Sequence, residues 1–317
     1  MNHRPARLCA AVITILLLAP ATATTAQPQR DWPLANEYLI QGRLADGALA
    51  LTQRLEHAPD DQQARFGLGA VQFLQAVESL SQNLYRSGAM DTGPFQELPM
   101  LRTVMAANPE PEPLGPEELR QVIQQFLDQL TRAEATLAHV HADVQLPLQF
   151  GLIQLDLTGD GQPDASLWQL YARVTNAQVE EVVWADMPVD EAPEPANAQP
   201  DQHDAAQFII DFDTADAYWL RGYCHVLMAL AEVILAHDLT ELVERTGHLA
   251  FARTRTPHTW LHAPREPPPH QMFDINLILD GIALIHLVNL PIIEPQRMRN
   301  ALAHLEPRIT QLRFRVL

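Results

Sequence analysis

The segment from Asp211 to His237 carries Asp216, Arg221, His225 and Glu232 on an otherwise apolar stretch. Residues seven apart nearly eclipse on a helix, so His225 and Glu232 share a face and Asp216 lies close to it. Arg221 approaches His225 or a carboxylate at the four-residue spacing. Two chemistries fit these residue types. The first is a polar pocket for acid/base or metal work, facing a later apolar helix through Asp280 and His286. The second, which we prefer, is a network of buried hydrogen bonds and ion pairs that fixes helix register, because polar groups buried on so apolar a helix must be paired. No zincin, serine-hydrolase or cysteine-protease motif accompanies them. Cys224 and His225 are adjacent and would point about 100° apart on a helix, so they form no dyad, and Cys224 reads as a small buried apolar group.

A different chemistry is written in Asp156-Leu157-Thr158-Gly159-Asp160-Gly161-Gln162-Pro163-Asp164. This run resembles the calcium loop of the EF-hand and of secreted modules that keep the aspartate-rich turn without its second helix. The resemblance implies Ca2+ held by the side chains of Asp156, Thr158 and Asp160, by the carbonyl of Gln162, and by Asp164 directly or through water. Gly161 falls where such a loop turns sharply. No Cys or His interrupts the oxygen set, which favours Ca2+ over zinc. The twelfth position is Leu167 instead of the usual bidentate glutamate, so a closing ligand must come from elsewhere, with Glu180, Glu181, Asp211 and Asp213 as candidates. The same residue types also build an ordinary solvated turn.

Other groups carry less. His258, His262 and His270 are irregularly spaced among prolines, and Trp184, Trp219 and Trp260 read as core or as the lining of a cleft. Glycine-rich phosphate loops and basic aromatic patches are absent from the sequence, which argues against nucleotide and nucleic-acid functions.

Helices must position these groups. Apolar residues at three- and four-residue intervals predict helices over Trp32–Ile40, Leu44–His57 and Gln62–Arg86, with Asp60 or Asp61 as the cap of the third. Pro116 opens another, predicted to reach about His141. Leu146 to Leu155 reads as extended chain. Asp213 is placed to cap a long helix over Thr214–His237, and shorter helices are expected over Leu239–Ala252, Asp274–Asn289 and Glu294–His304. Residues 41–70 resemble a tetratricopeptide repeat, through Gln41-Gly42, Leu44, Ala48, Leu55 and Ala58-Pro59, then Ala64, Gly67, Leu68 and Gly69. That resemblance implies a helical hairpin whose small residues allow close helix contact. The helix after Gly67 runs past the standard repeat length.

Arg4 and Arg7 precede the apolar run Leu8 to Leu18, and small residues at Ala21, Ala23 and Ala26 suit signal-peptidase cleavage, so residues 1–26 are expected to be a signal peptide. The apolar run is far shorter than the roughly 20 residues that span a bilayer, and no later stretch is expected to do so. The expected location is the periplasm or the extracellular space. With Cys9 in the leader, Cys224 is left without an internal disulfide partner. The formal charge is -18 and all 21 basic residues are Arg, which disfavours nucleic acid and anionic membrane, favours cations and basic partners, and excludes lysine chemistry.

These readings combine into a mainly α fold. After the leader, a repeat-like helical region (27–143) is followed by extended segments with the calcium-loop-like turn (144–192), an acidic linker (193–207) and a second helical region (208–317). The expected function is an exported calcium-binding scaffold that binds a basic protein or peptide. The alternative is an extracytoplasmic hydrolase working through Asp216, Arg221, His225 and Glu232.

Overall fold

The computed structural model describes residues 31–90, 107–141, 143–172, 202–257 and 290–314. The expected signal peptide (1–26), Glu180, Glu181, Trp184, Trp260, the histidine trio at 258, 262 and 270, and the helix expected over Asp274–Asn289 with Asp280 and His286 all lie outside those residues.

The chain is mainly helical, with nine helices and no closed sheet among the described residues. Three helices open it: α1 (Leu34–Ile40), α2 (Leu44–His57) and α3 (Gln62–Arg86). Asp61 caps α3, its side chain accepting from Ala64 N at 2.9 Å. Helix α4 (Pro116–Leu137) starts at a proline, and Glu118 reaches back to accept from Gly115 N at 3.1 Å. It stops at Leu137, four residues short of the expected His141, because the backbone turns there and Val140 N donates to Leu137 O.

The extended stretch resolves into strand β1 (Gln145–Leu148), a single 3-10 turn at Phe150–Leu152, and strand β2 (Gln154–Leu155), which pairs with β3 (Ala165–Ser166). Residues 167–172 form α5. Residues Gln202–Gln207, expected at the end of an acidic linker, form a short helix, α6, which packs beside the 3-10 turn; Gly151 fits there because a Cβ would lie 2.4 Å from Ala205 O. Strand β4 (Ile210–Asp213) lies antiparallel to β1, with Leu146 opposite Phe212.

Helix α7 (Thr214–Ala236) is the central element. Asp213 accepts from Ala215 N at 2.7 Å and Asp216 N at 3.2 Å, while Asp216 accepts from Asp213 N at 2.8 Å, a reciprocal capping box. Helix α8 (Thr240–Thr246) is extended by a 3-10 turn at Gly247–Leu249, and α9 (Pro295–Phe314) continues ten residues past the expected end at His304.

One buried cluster runs from Leu39 and Leu51 through Val71, Leu130 and Leu137 to Cys224, Met228 and Leu235, so α1–α4 and α7 share a core. Small residues set the helix spacings. A Cβ at Gly67 would come 2.7 Å from Ala35 Cβ, and one at Gly69 would come 2.5 Å from a methyl of Leu137. The close approach expected of these glycines is therefore real, and its partners are α1 and α4. Trp219 packs against the same core, stacked on Tyr223 at 5.5 Å between ring centroids. By length and composition α7 would pass as a membrane span, but half of its most apolar stretch is buried inside the protein.

Candidate functional site

The four polar residues of α7 divide among three environments. Asp216 belongs to the cap just described. Arg221 was expected to meet His225 or a carboxylate on its own helix; instead both reach across to Glu134 on α4. Arg221 Nε donates to Glu134 Oε1 at 2.6 Å, and His225 Nε2 lies 3.2 Å from the same oxygen. The i, i+4 spacing brought the two side chains to one place, and a carboxylate from a neighbouring helix occupies it.

His225 and Glu232 do share a face, and that face is covered by α9. His225 Nδ1 is 3.3 Å from His304 Nδ1, while Glu232 accepts from Arg297 Nη1 at 3.0 Å and from Asn300 Nδ2 at 3.1 Å. Seven residues separate the members of each pair on both helices, and the order is reversed, so α7 and α9 run antiparallel with two contacts two turns apart. Glu232 is buried. All three guanidinium nitrogens of Arg297 are engaged, since Nε also donates to Glu294 at 2.7 Å and Nη2 to Gln124 at 2.8 Å. Burial opposes the Arg297 charge, but the hydrogen bonds and charges of Glu232 and Glu294 outweigh it and hold its pKa above the usual arginine value. At the far end, Arg120 of α4 contacts Glu294 and donates to His237 O at 3.0 Å, tying all three helices together.

Beside this network is an open cleft of about 440 Å3 between α4, α7 and α9, walled by Gln124, Asp128, Thr131, Glu232, Arg297, Asn300 and His304 among others. Of the α7 residues singled out from sequence, Glu232 alone lines it. Glu134, Arg297, Asn300 and His304 were not anticipated. A signal existed for the two α9 residues, whose seven-residue spacing matches that of His225 and Glu232, but only the antiparallel packing reveals the match.

The aspartate-rich run is the loop of the β2–β3 hairpin. Asp156 accepts from Gly159 N at 2.6 Å and Gly161 N at 2.9 Å, and Asp160 accepts from Gln162 N at 2.8 Å. Asp164 accepts from Leu157 N at 2.6 Å and Thr158 N at 2.8 Å, with Thr158 Oγ1 3.2 Å away. Gly159 and Gly161 have φ of 84° and 82°, in the left-handed region that glycine tolerates. The carboxylates thus converge on the loop's own N–H groups. Among the described residues, no three His, Cys, Asp or Glu side chains are grouped as a metal-holding set.

The loop is fastened to α3. Asp156 N donates to Glu78 Oε1 at 2.7 Å, and Gln82 Nε2 donates to Asp156 O at 2.8 Å. Burial pushes the Glu78 carboxyl up to about 7, helped by the charges of Asp156 and Asp164 and opposed by the Asp156 N–H. Glu78 was not among the anticipated residues. Of those that were, Asp213 caps α7, and Asp211 lies in β4 opposite Pro147. Leu167, at the twelfth position, packs against the core.

The fold and these two polar centres define a mainly helical protein with an aspartate-rich hairpin loop. The chain matches no protein-family model, no curated protein sequence and no solved structure.

Proposed function

We infer that this is an exported calcium-binding scaffold, in which a structural Ca2+ on the 156–164 loop fastens the β2–β3 hairpin to the helical body and the acidic surface receives a basic protein or peptide. The observation that carries this reading is the junction of the loop with α3 through Glu78 and Gln82. It brings a carboxylate to a loop whose sequence lacks the twelfth-position glutamate. Asp156, Thr158, Asp160 and Asp164 would supply side-chain oxygens, Gln162 its carbonyl, and Glu78 the closing carboxylate. A divalent cation would relieve the mutual repulsion of Glu78, Asp156 and Asp164, and its binding free energy would add to that of folding. The two-helix unit α2–α3 would serve as a repeat-like hairpin, and the formal charge of -18 favours a cationic partner.

The alternative, an extracytoplasmic hydrolase using Asp216, Arg221, His225 and Glu232, draws less support, since Asp216 serves the α7 cap and Glu232 is ion-paired with Arg297.

The test is calorimetric titration of Ca2+ into the protein purified without its leader, with thermal melts in Ca2+ and in chelator. Saturable 1:1 binding with a raised Tm is expected. Absence of heat together with superimposable melts reduces the loop to an acidic turn and removes the calcium reading.

A further inference from the structure

We propose that His225 and His304 are the protein ligands of a separate site for an imidazole-preferring divalent metal, with Zn2+ as the reference ion and Cu2+ or Ni2+ as relatives, clamped between α7 and α9. This proposal is independent of the calcium reading, because it uses different residues, donors and helices.

The first argument is separation. Two imidazole nitrogens bound at about 2.05 Å to one tetrahedral ion lie roughly 3.3 Å apart. The Nδ1 atoms of His225 and His304 are 3.3 Å apart, which is long for an N–H···N hydrogen bond. The ring centroids are 5.5 Å apart, so the rings meet by their nitrogens rather than by stacking, and a small swing of either ring admits an ion between them.

The second argument is tautomer. Glu134 Oε1 lies 3.2 Å from His225 Nε2, and Arg221 holds the same carboxylate at 2.6 Å. A carboxylate opposite Nε2 stabilises the proton there, which makes Nδ1 the basic nitrogen, the one that faces His304. A carboxylate on the far nitrogen of a metal-binding imidazole is a recurrent device for orienting the ring and raising its basicity. The third argument is access. His304 lines the open cleft of about 440 Å3, so an ion can enter from solvent and complete its coordination with water or with an incoming ligand. The site is built on two helices whose register is set independently by the Glu232–Arg297 pair.

The experiment uses untagged protein without its leader, held in excess Ca2+ and titrated with Zn2+ by calorimetry, with Co2+ absorption as a spectroscopic check on nitrogen ligation. One equivalent of Zn2+ is expected. His304→Ala and His225→Ala should each weaken it at least about tenfold and abolish the Co2+ ligand-field band, and Glu134→Gln should weaken it by about tenfold through loss of orientation. Asp46→Ala, at an exposed ion pair on α2 outside both sites, should leave it unchanged. His304→Gln, with a melt in chelator matching the parent, separates loss of a ligand from loss of fold. If the parent takes up no Zn2+, or if the folded His304 variants bind it with the parent's stoichiometry and affinity, the proposal is overturned and the pair is a histidine–histidine hydrogen bond.

Discussion

Asp156 and Glu78, far apart in sequence, are joined by a 2.7 Å hydrogen bond from the Asp156 backbone N–H to the Glu78 carboxylate. Glu78→Gln keeps an acceptor for that N–H while removing the charge. Under the calcium proposal the variant should fold as the parent does in chelator and bind Ca2+ at least about tenfold more weakly, as expected for loss of a charged ligand. Parental Ca2+ affinity in Glu78→Gln would show that Glu78 anchors the loop without serving the ion.

Arg297 and Glu232 give a second measurable consequence. Arg297→Met leaves the buried Glu232 carboxylate with only Asn300 as the partner identified on α9, and the stability loss in urea should be about 2–3 kcal/mol, below the range for fully buried pairs because Arg297 is partly exposed. Adding Glu232→Gln to that variant should recover part of the loss. A single-variant loss under about 0.5 kcal/mol would mean that the pair behaves as a surface contact.

At Gly69, tight packing should outweigh helix propensity. Alanine gains about 1 kcal/mol over glycine inside a helix. Here its Cβ would stand 2.5 Å from a methyl of the fully buried Leu137, and overpacking of that kind costs about 1–3 kcal/mol. Gly69→Ala is therefore expected to be destabilised, by up to about 2 kcal/mol in urea. Combination with Leu137→Ala should show non-additive coupling. A stabilised single variant would contradict the α3–α4 spacing described above.

Asp61 carries the pH prediction. Burial pushes its pKa up, but the Ala64 N–H and the Arg54 guanidinium outweigh that and lower it. A depressed carboxylate contributes stability above its unfolded pKa of about 3.8, and that contribution disappears as pH falls through the lower folded value. Asp61→Asn keeps a capping oxygen and should lose stability near neutral pH while converging on the parent near pH 2. Asp61→Ala should cost about 1 kcal/mol further through loss of the cap. Parallel Tm-versus-pH curves for parent and Asp61→Asn would remove the charge argument.

Much of the helical framework was legible in the chain because its causes are local. The bounds of α2 and α3 coincide with those expected from apolar spacing, from Pro59 in the turn between them, and from the Asp61 cap. The start of α7 at Thr214 follows from Asp213, whose side chain needs only the next three residues to cap the helix. The aspartate-rich turn was visible for the same reason, since its Asx-type bonds span at most seven residues. Less was legible where several weak preferences compete: α4 ends early at a turn, and Gln202–Gln207 coils into a helix within an acidic stretch because it packs beside the Phe150–Leu152 turn.

The partners of the polar side chains were decided only by tertiary structure. Periodicity shows that His225 and Glu232 share a face, but the identities of Glu134, Arg297 and His304 opposite that face depend on α4 and α9 arriving from far along the chain. Glu78 meets Asp156 for the same kind of reason, because a helix packed against the hairpin carries it there. Helix caps, turns and amphipathic stripes are encoded within a few residues, where backbone geometry limits the alternatives. The pairing of buried charges is encoded in the packing of the whole core, because the cost of leaving a polar group unpaired is met by whichever element the fold brings within reach.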